Sequence, residues 1–358
     1  MTKQEIINNF DPNQPGLADA TLYGLPFSAE QSEIIIVPAP WEVTVSYGAG
    51  ASEGVDAVFE ASFQIDLLNQ EFPDLWKLGI YMDQEIPNWK SKSDVLKEKA
   101  LTIIEALEKG ENVEDSALLT ENLQKINQES DQFKNEVKER VLFWMNQNKK
   151  VGLLGGDHST PLGYYEALAT KHDNFGILHL DAHMDLREAY EGFTHSHASI
   201  MYNALKIPQI KKIVQVGIRD FCEQEVEAVK AAGERVRVFT DLDLKKEEFE
   251  GGNWKQKCLA IINDLPQKVH ISFDIDALYQ WYCPNTGTPV PGGLSFEQAT
   301  YLLSQLAESG KEIIGFDLVE VSPGEGDWDG NVGARMLFHL CGVLAKSHGL
   351  DVGKKIEF

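Results

Sequence analysis

The sequence predicts an α/β fold: three α-β-α layers around a mainly parallel sheet of about eight strands. Two observations carry this. Short apolar runs of strand length alternate with amphipathic segments of helical period along most of the 358 residues, and strands that alternate with helices form parallel sheets covered on both faces. Acidic and histidine-bearing motifs also follow those runs directly, and in such sheets ligands bind beyond the carboxyl ends of the strands.

Taken in order, residues 1–32 are polar and Pro/Gly-rich and read as a surface arm, ahead of a single domain over 33–358. Ile34-Ile35-Ile36-Val37 is a buried strand, followed by Trp41-Glu42 and a Gly-rich loop at 46–54. Backbone comes close to ligands in such loops. A helix over 55–67 and a strand over 77–81 follow. The Lys/Glu-rich stretch 87–131, with helical periodicity over 95–107 and 117–126, reads as a helical insertion or cap rather than core. An amphipathic helix is expected over 131–148. Further strands are expected at 151–154, 175–180, 212–216, 235–238, 269–275 and 312–318. Helices lie between most of them, at 161–171, 223–232, 254–263, 296–308 and 331–346. There is no internal repeat and no clear linker.

Net charge is −24. So acidic a surface argues against nucleic acid or anionic membrane as partner and favours cationic small molecules. Cys222, Cys258, Cys283 and Cys341 are scattered and read as reduced thiols of a cytoplasmic protein. The start, Met1-Thr2-Lys3-Gln4-Glu5, lacks a basic-then-apolar signal. No apolar run reaches the ~18 residues of a membrane span.

The chemistry gathers at strand ends. Asp181, His183 and Asp185 alternate after Phe175–Leu180, and residues i, i+2 and i+4 of an extended chain face one side. Burying them unpaired is costly, so a cation is expected there. Asp274 and Asp276 end another strand in the same phase, Glu320 ends a third, and Gly155-Gly156-Asp157-His158-Ser159 follows a fourth. Each motif alone is weak. Together they supply His158, Asp181, His183, Asp185, Asp274 and Asp276 as metal ligands. Oxygen donors with a minority of imidazole suit Mn²⁺ better than Zn²⁺. Six ligands exceed the needs of one ion with an open position, and four carboxylates balance two divalent ions. Two such ions acidify a water between them, which is the chemistry of a hydrolase.

These motifs, with the run Asn285–Leu294, resemble the ureohydrolases (arginase, agmatinase, formiminoglutamase and relatives) over about residues 34–346. The resemblance implies an arginase-like fold and two divalent ions per subunit, Mn²⁺ with Ni²⁺ as alternative. It implies Asp181 and Asp274 as bridging carboxylates, His158 and Asp185 on one ion, and His183 and Asp276 on the other. Glu320 matches the acidic residue that holds the guanidinium, with Asp276 beside it. His197 matches the proton-shuttling histidine, and His195 is its weaker rival. Products would be urea and an amine, and assembly would be a homo-oligomer, trimer or hexamer.

The loop Leu186–Ser196 is where family members differ. Its Asp-Leu-Arg-x-x-Tyr-x-Gly pattern, with Arg187, resembles the agmatinase-like branch, as does Trp41–Gly48, so agmatine hydrolysis to putrescine is the leading expectation. Arginine and formiminoglutamate fit the pattern less well. Two departures stand out: Tyr279-Gln280-Trp281-Tyr282 replaces the usual Asp-Pro, and 322–330 is longer and more acidic than usual. Aromatics at the mouth, Trp281 in particular, would contact substrate or narrow the pocket towards guanidine or a short guanidino acid; the plainer reading is loop packing. His179 is expected on the opposite face of its strand, and His172, His270, His339 and His348 have no metal-type spacing. Rival classes are a one-zinc deacetylase on a related scaffold and a non-catalytic metal-binding assembly protein.

Overall fold

The computed structural model describes residues 1–14, 16, 21–84 and 87–358; part of the N-terminal arm, at 15 and 17–20, lies outside them. A short helix α1 (Lys3–Asn9) opens the chain on a capping box between Thr2 and Glu5. Then come β1 (Ile34–Ala39), α2 (Gly54–Ser62), β2 (Ile80–Met82), α3 (Trp89–Glu108), α4 (Ala117–Met145) and β3 (Lys150–Gly155). The regular half continues with α5 (Leu162–Lys171), β4 (Phe175–Leu180), α6 (Ile200–Leu205), β5 (Ile210–Ile218), α7 (Glu223–Ala232), β6 (Val236–Thr240), α8 (Asp241–Phe249), α9 (Trp254–Asn263), β7 (Lys268–Asp274), α10 (Phe296–Glu308), β8 (Glu312–Val319) and α11 (Trp328–Ser347).

Among the described residues, eight strands form one sheet in the order β2-β1-β3-β8-β7-β4-β5-β6, and every pairing between them is parallel. The central strands are buried on both faces, as their unbroken apolar runs require. Two hydrophobic clusters cover the sheet, one around Leu178, Phe273 and Leu302, the other around Trp41, Phe133 and Ile177. β3, β8, β7 and β4 are consecutive neighbours in the middle of the sheet. Their carboxyl ends therefore converge on one place.

Three expectations change. The arm is not wholly superficial: Leu22, Tyr23, Leu25 and Phe27 are buried in the first cluster. The break expected near 131 is absent, because α4 runs unbroken for 29 residues; it carries neither Gly nor Pro to stop it. Nor is 87–131 a mere cap. Trp89, Leu96, Ala100, Ile103 and Ile126 join Val137 and Val141 in the second cluster.

Candidate metal centre and active site

Asp181 leaves β4 with its two oxygens pointing to different partners. Oδ2 lies 3.0 Å from His158 Nδ1, and Oδ1 lies 3.4 Å from His183 Nδ1. Around His158 Nδ1 stand Asp185 Oδ2 at 3.1 Å and Asp274 Oδ2 at 3.2 Å. Around His183 Nδ1 stands Asp276 Oδ2 at 3.0 Å. Two subsites thus share Asp181. Asp274 leans to the first, since its Oδ1 accepts a hydrogen bond from the Asp276 N–H at 2.9 Å. Backbone strain marks the positions that aim these groups. Asp185 and Glu320 hold φ of +55° and +63°, a conformation costly for residues with a Cβ and concentrated at functional sites.

The donor set fits divalent cations. Four aspartates converge, all buried, and His158 Nδ1 is buried without a hydrogen-bond partner among the described residues. Like charges packed so closely demand positive charge between them. The local electrostatics carry the same demand. Burial pushes Asp274 well above the usual carboxylate range, and Asp276 and Asp181 add to it. Burial opposes a charged His183, but Asp276 and Asp181 outweigh it and lift the imidazole to about 12.

Behind the candidate ligands is a second layer to which the sequence assigned no part. His179 Nε2 meets Asp181 Oδ2 at 2.7 Å, and Gln215 Nε2, 3.0 Å from His179 Nδ1, donates to the Met184 carbonyl at 2.7 Å. This corrects the expected opposite-face placement of His179. It precedes Asp181 by two residues and so shares its phase, a signal the period-2 rule already contained. On the far side of His158, Nε2 contacts Ser272 Oγ at 2.9 Å. Ser272 donates to Asp317 Oδ1 at 2.9 Å and accepts from Tyr165 OH at 2.9 Å. His270 Nε2 meets Asp317 Oδ2 at 2.6 Å. His270 thus supports the site from two residues away, through contacts that sequence spacing does not reveal.

A cavity of about 410 Å³ opens over the cluster, lined by His158, His183, Asp185, Arg187, His197 and Glu320 among others. That is within the usual range for small-molecule sites. Glu320 Oε1 accepts the His158 backbone N–H at 2.8 Å; its other oxygen takes no hydrogen bond among the described residues. Burial, reinforced by Asp274 and Asp157, pushes its carboxyl well above the usual range. His197 Nδ1 lies 3.3 Å from Thr44 Oγ1, and burial followed by the positive charge of His183 and His158 lowers its imidazole to about 4. Arg187 stacks on Tyr190 with its guanidinium carbon 4.6 Å from the ring centroid. The rim holds Tyr47, Asp220, Phe221 and Thr288. Two rim loops touch where the Gly48 N–H donates to the Gly287 carbonyl at 3.2 Å. A Cβ on Gly48 would stand 2.4 Å from that oxygen, which explains the glycine.

Two residues expected at the site lie elsewhere. His195 faces Asp131 of α4 at 3.6 Å and does not line the cavity. Trp281 is 63 % exposed, stacks on Tyr279 at 4.4 Å and accepts a hydrogen bond on its carbonyl from Trp328 Nε1. It too is absent from the cavity wall. The aromatic loop packs on itself, as the plainer reading held. Cys222, Cys258, Cys283 and Cys341 are free thiols, and no described helix is long and apolar enough to cross a membrane.

Known proteins share this framework. The chain is 26% identical to an N(1)-aminopropylagmatine ureohydrolase of Synechocystis over 324 residues, 89% of this chain and 92% of that one. It is 26% identical to an agmatinase of Bacillus anthracis over 299 residues, 83% and 86% of the two chains. The agmatine ureohydrolase structure of Thermoplasma volcanium superposes with a TM-score of 0.68 at 22% identity, covering 97% of this chain and 99% of that one. The arginase family model matches residues 32–342. The chain belongs to the arginase family and is a ureohydrolase of that fold.

Proposed function

We propose that the protein hydrolyses agmatine to urea and putrescine with two divalent cations, Mn²⁺ in first place and Ni²⁺ as the alternative. The observation that carries this is the pair of subsites sharing Asp181 beneath a cavity walled by Glu320 and His197. His158, Asp181, Asp185 and Asp274 would hold one ion, and His183 and Asp276 the other, with Asp181 and, as the resemblance implies, Asp274 serving both. Bound there, the ions would supply an acidified water at neutral pH. A guanidinium is cationic and resists attack because its charge is delocalised. Glu320, with one oxygen tied to the His158 N–H, offers the other to that cation, whose charge together with that of the ions would offset the burial that raises its carboxyl and keep it ionised over the cluster. Asp276 adds negative charge that favours the tetrahedral state. His197 is neutral at working pH and can accept a proton at the cavity wall and return it to the departing amine. Thr44 fixes its ring. The ammonium end of the substrate would point to the rim, where Asp220 is exposed.

A second reading, N(1)-aminopropylagmatine, draws on the names of the relatives and on Asp220, which would meet the extra cation of a longer tail. The free thiols fit a cytoplasmic setting, and a trimer or hexamer is the assembly expected. Urea release after loading with Mn²⁺ or Ni²⁺ is the test, with agmatine, N(1)-aminopropylagmatine, guanidine, arginine, guanidinobutyrate and guanidinopropionate as substrates. Agmatine should lead. No urea from any of them would overturn the reading and favour a non-catalytic metal-binding protein.

A further inference from the structure

The α3–α4 hairpin grips both loops that wall the cavity. On one side, Glu42 sits in the loop after β1 with its side chain fully buried, paired with Lys97 Nζ of α3 at 2.5 Å. Its Oε1 accepts the N–H groups of Gly50 and Ala51 at 2.7 and 3.2 Å. Ser93 of α3 closes the grip, accepting from the Glu42 N–H at 2.8 Å and donating to the Glu42 carbonyl at 3.1 Å. The chain between these anchors, residues 43–49, carries Thr44 and the wall residues Ser46 and Tyr47. Trp41, next to Glu42, stacks on Phe133 of α4 with centroids 4.3 Å apart.

On the other side, Asn127 of α4 bridges the loop after β4. Its Nδ2 donates to the Gly192 carbonyl at 3.1 Å, and its Oδ1 accepts the Thr194 N–H at 2.9 Å. Asp131, one turn along, faces His195. This loop carries Arg187, Tyr190 and His197, and its ends close on each other through the Arg187 N–H to the Ala198 carbonyl at 3.0 Å. The two gripped loops meet at the Thr44–His197 contact. A buried carboxylate stays ionised only with such partners, and a side-chain amide that both donates to and accepts from one loop fixes its register.

We propose that the α3–α4 hairpin positions the substrate-selecting loops, with Lys97 and Asn127 as its two positioning residues. The hairpin then acts through Arg187, Tyr190 and His197 rather than by touching substrate. The proposal rests on the cavity being the guanidino site, and its test separates the two.

The test is Asn127→Ala in the full Mn²⁺-loaded chain, read by amide hydrogen exchange and by urea-release kinetics. Amides of 187–198 should exchange roughly tenfold faster, the scale expected for losing two partly exposed hydrogen bonds, with the melting temperature unchanged. KM for the best substrate should rise by a similar factor while kcat changes less. Asn127→Asp, which keeps the acceptor for Thr194, should recover part of the protection. For the other wall, Lys97→Met alone strands the Glu42 charge, so it is paired with Glu42→Gln. The double variant should free the amides of 43–51 while 187–198 follow through Thr44. Unchanged exchange in both loops would overturn the proposal, as would faster exchange spread evenly over the chain with a lower melting temperature. If wild type releases no urea from any guanidino compound, the functional reading fails, while the exchange data still decide the hairpin's role.

Discussion

Ser272→Ala gives the most direct measure of the layer behind the candidate metal centre. The hydroxyl joins three buried groups: His158 Nε2, Asp317 Oδ1 and Tyr165 OH, each at 2.9 Å. With Nδ1 as the nitrogen that would face the ion, the proton of the metal-loaded His158 belongs on Nε2, so that bond is N–H donating to Ser272 Oγ. Removing the hydroxyl does not cost all three partners equally. Tyr165 retains Asp317 Oδ2 at 3.3 Å, and Asp317 retains His270. Only the His158 N–H is orphaned, in a side chain 1% exposed. An unsatisfied buried donor costs about 1–3 kcal/mol. Loss of the partner that orients a ligating histidine typically weakens metal binding about 10–100-fold. Calorimetric titration of the metal-stripped protein with Mn²⁺ should therefore show a drop of that order for one of two ions, and thermal unfolding without metal should show a modest loss of stability. The asymmetry is the sensitive part, because the other subsite, around His183, has no contact with Ser272. Equal weakening of both ions, or none, would refute the reasoning.

Asp181→Ala removes a carboxylate that faces both subsites and should abolish activity and the retention of both ions, checked by elemental analysis after dialysis. Glu320→Gln should raise KM for a guanidinium substrate at least tenfold with metal content unchanged, because the charge, and not the packing, is what the substrate needs. His197→Asn should lower kcat by ~10²–10⁴-fold with KM little changed. The His197 imidazole is held down near 4, so the wild-type acid limb that depends on it should lie well below 6.5, and Asn should remove it. His339 supplies a pH test remote from the site: burial lowers it from 6.5 to about 4. A folded-state value below the unfolded one means that stability is full above pH 6.5 and is lost as pH falls towards 4, by up to about 3 kcal/mol. Chemical denaturation at pH 7 and pH 4.5 should show His339→Gln losing less than wild type on acidification.

Most strands and the six metal-ligand candidates were legible because each is a local pattern. Unbroken Ile/Val/Leu runs mark strands buried on both faces, and Asp181-x-His183-x-Asp185 or Asp274-x-Asp276 needs only period 2 to aim its groups together. The placement of His179 was legible by the same rule. By contrast, His195 and His197 are two residues apart and both follow polar neighbours, yet one meets α4 and the other the cavity. Nothing local separates them, since the difference is made by Asp131 and Thr44, 64 and 153 residues away in the chain. Trp281 likewise finds its partners in Tyr279 and Trp328 and not in the cavity.

The sequence by itself therefore determined the sheet, the family and the candidate metal-ligating residues, because strand period and side-chain chemistry are properties of a few consecutive residues. Only the tertiary structure decided what surrounds them. The strand order that makes β3, β8, β7 and β4 neighbours is fixed by packing across the whole chain. So are the Ser272–Asp317–His270 support under His158 and the seating of the α3–α4 hairpin on both cavity loops. These contacts join residues far apart in sequence, and their energies depend on burial and geometry that no short stretch encodes.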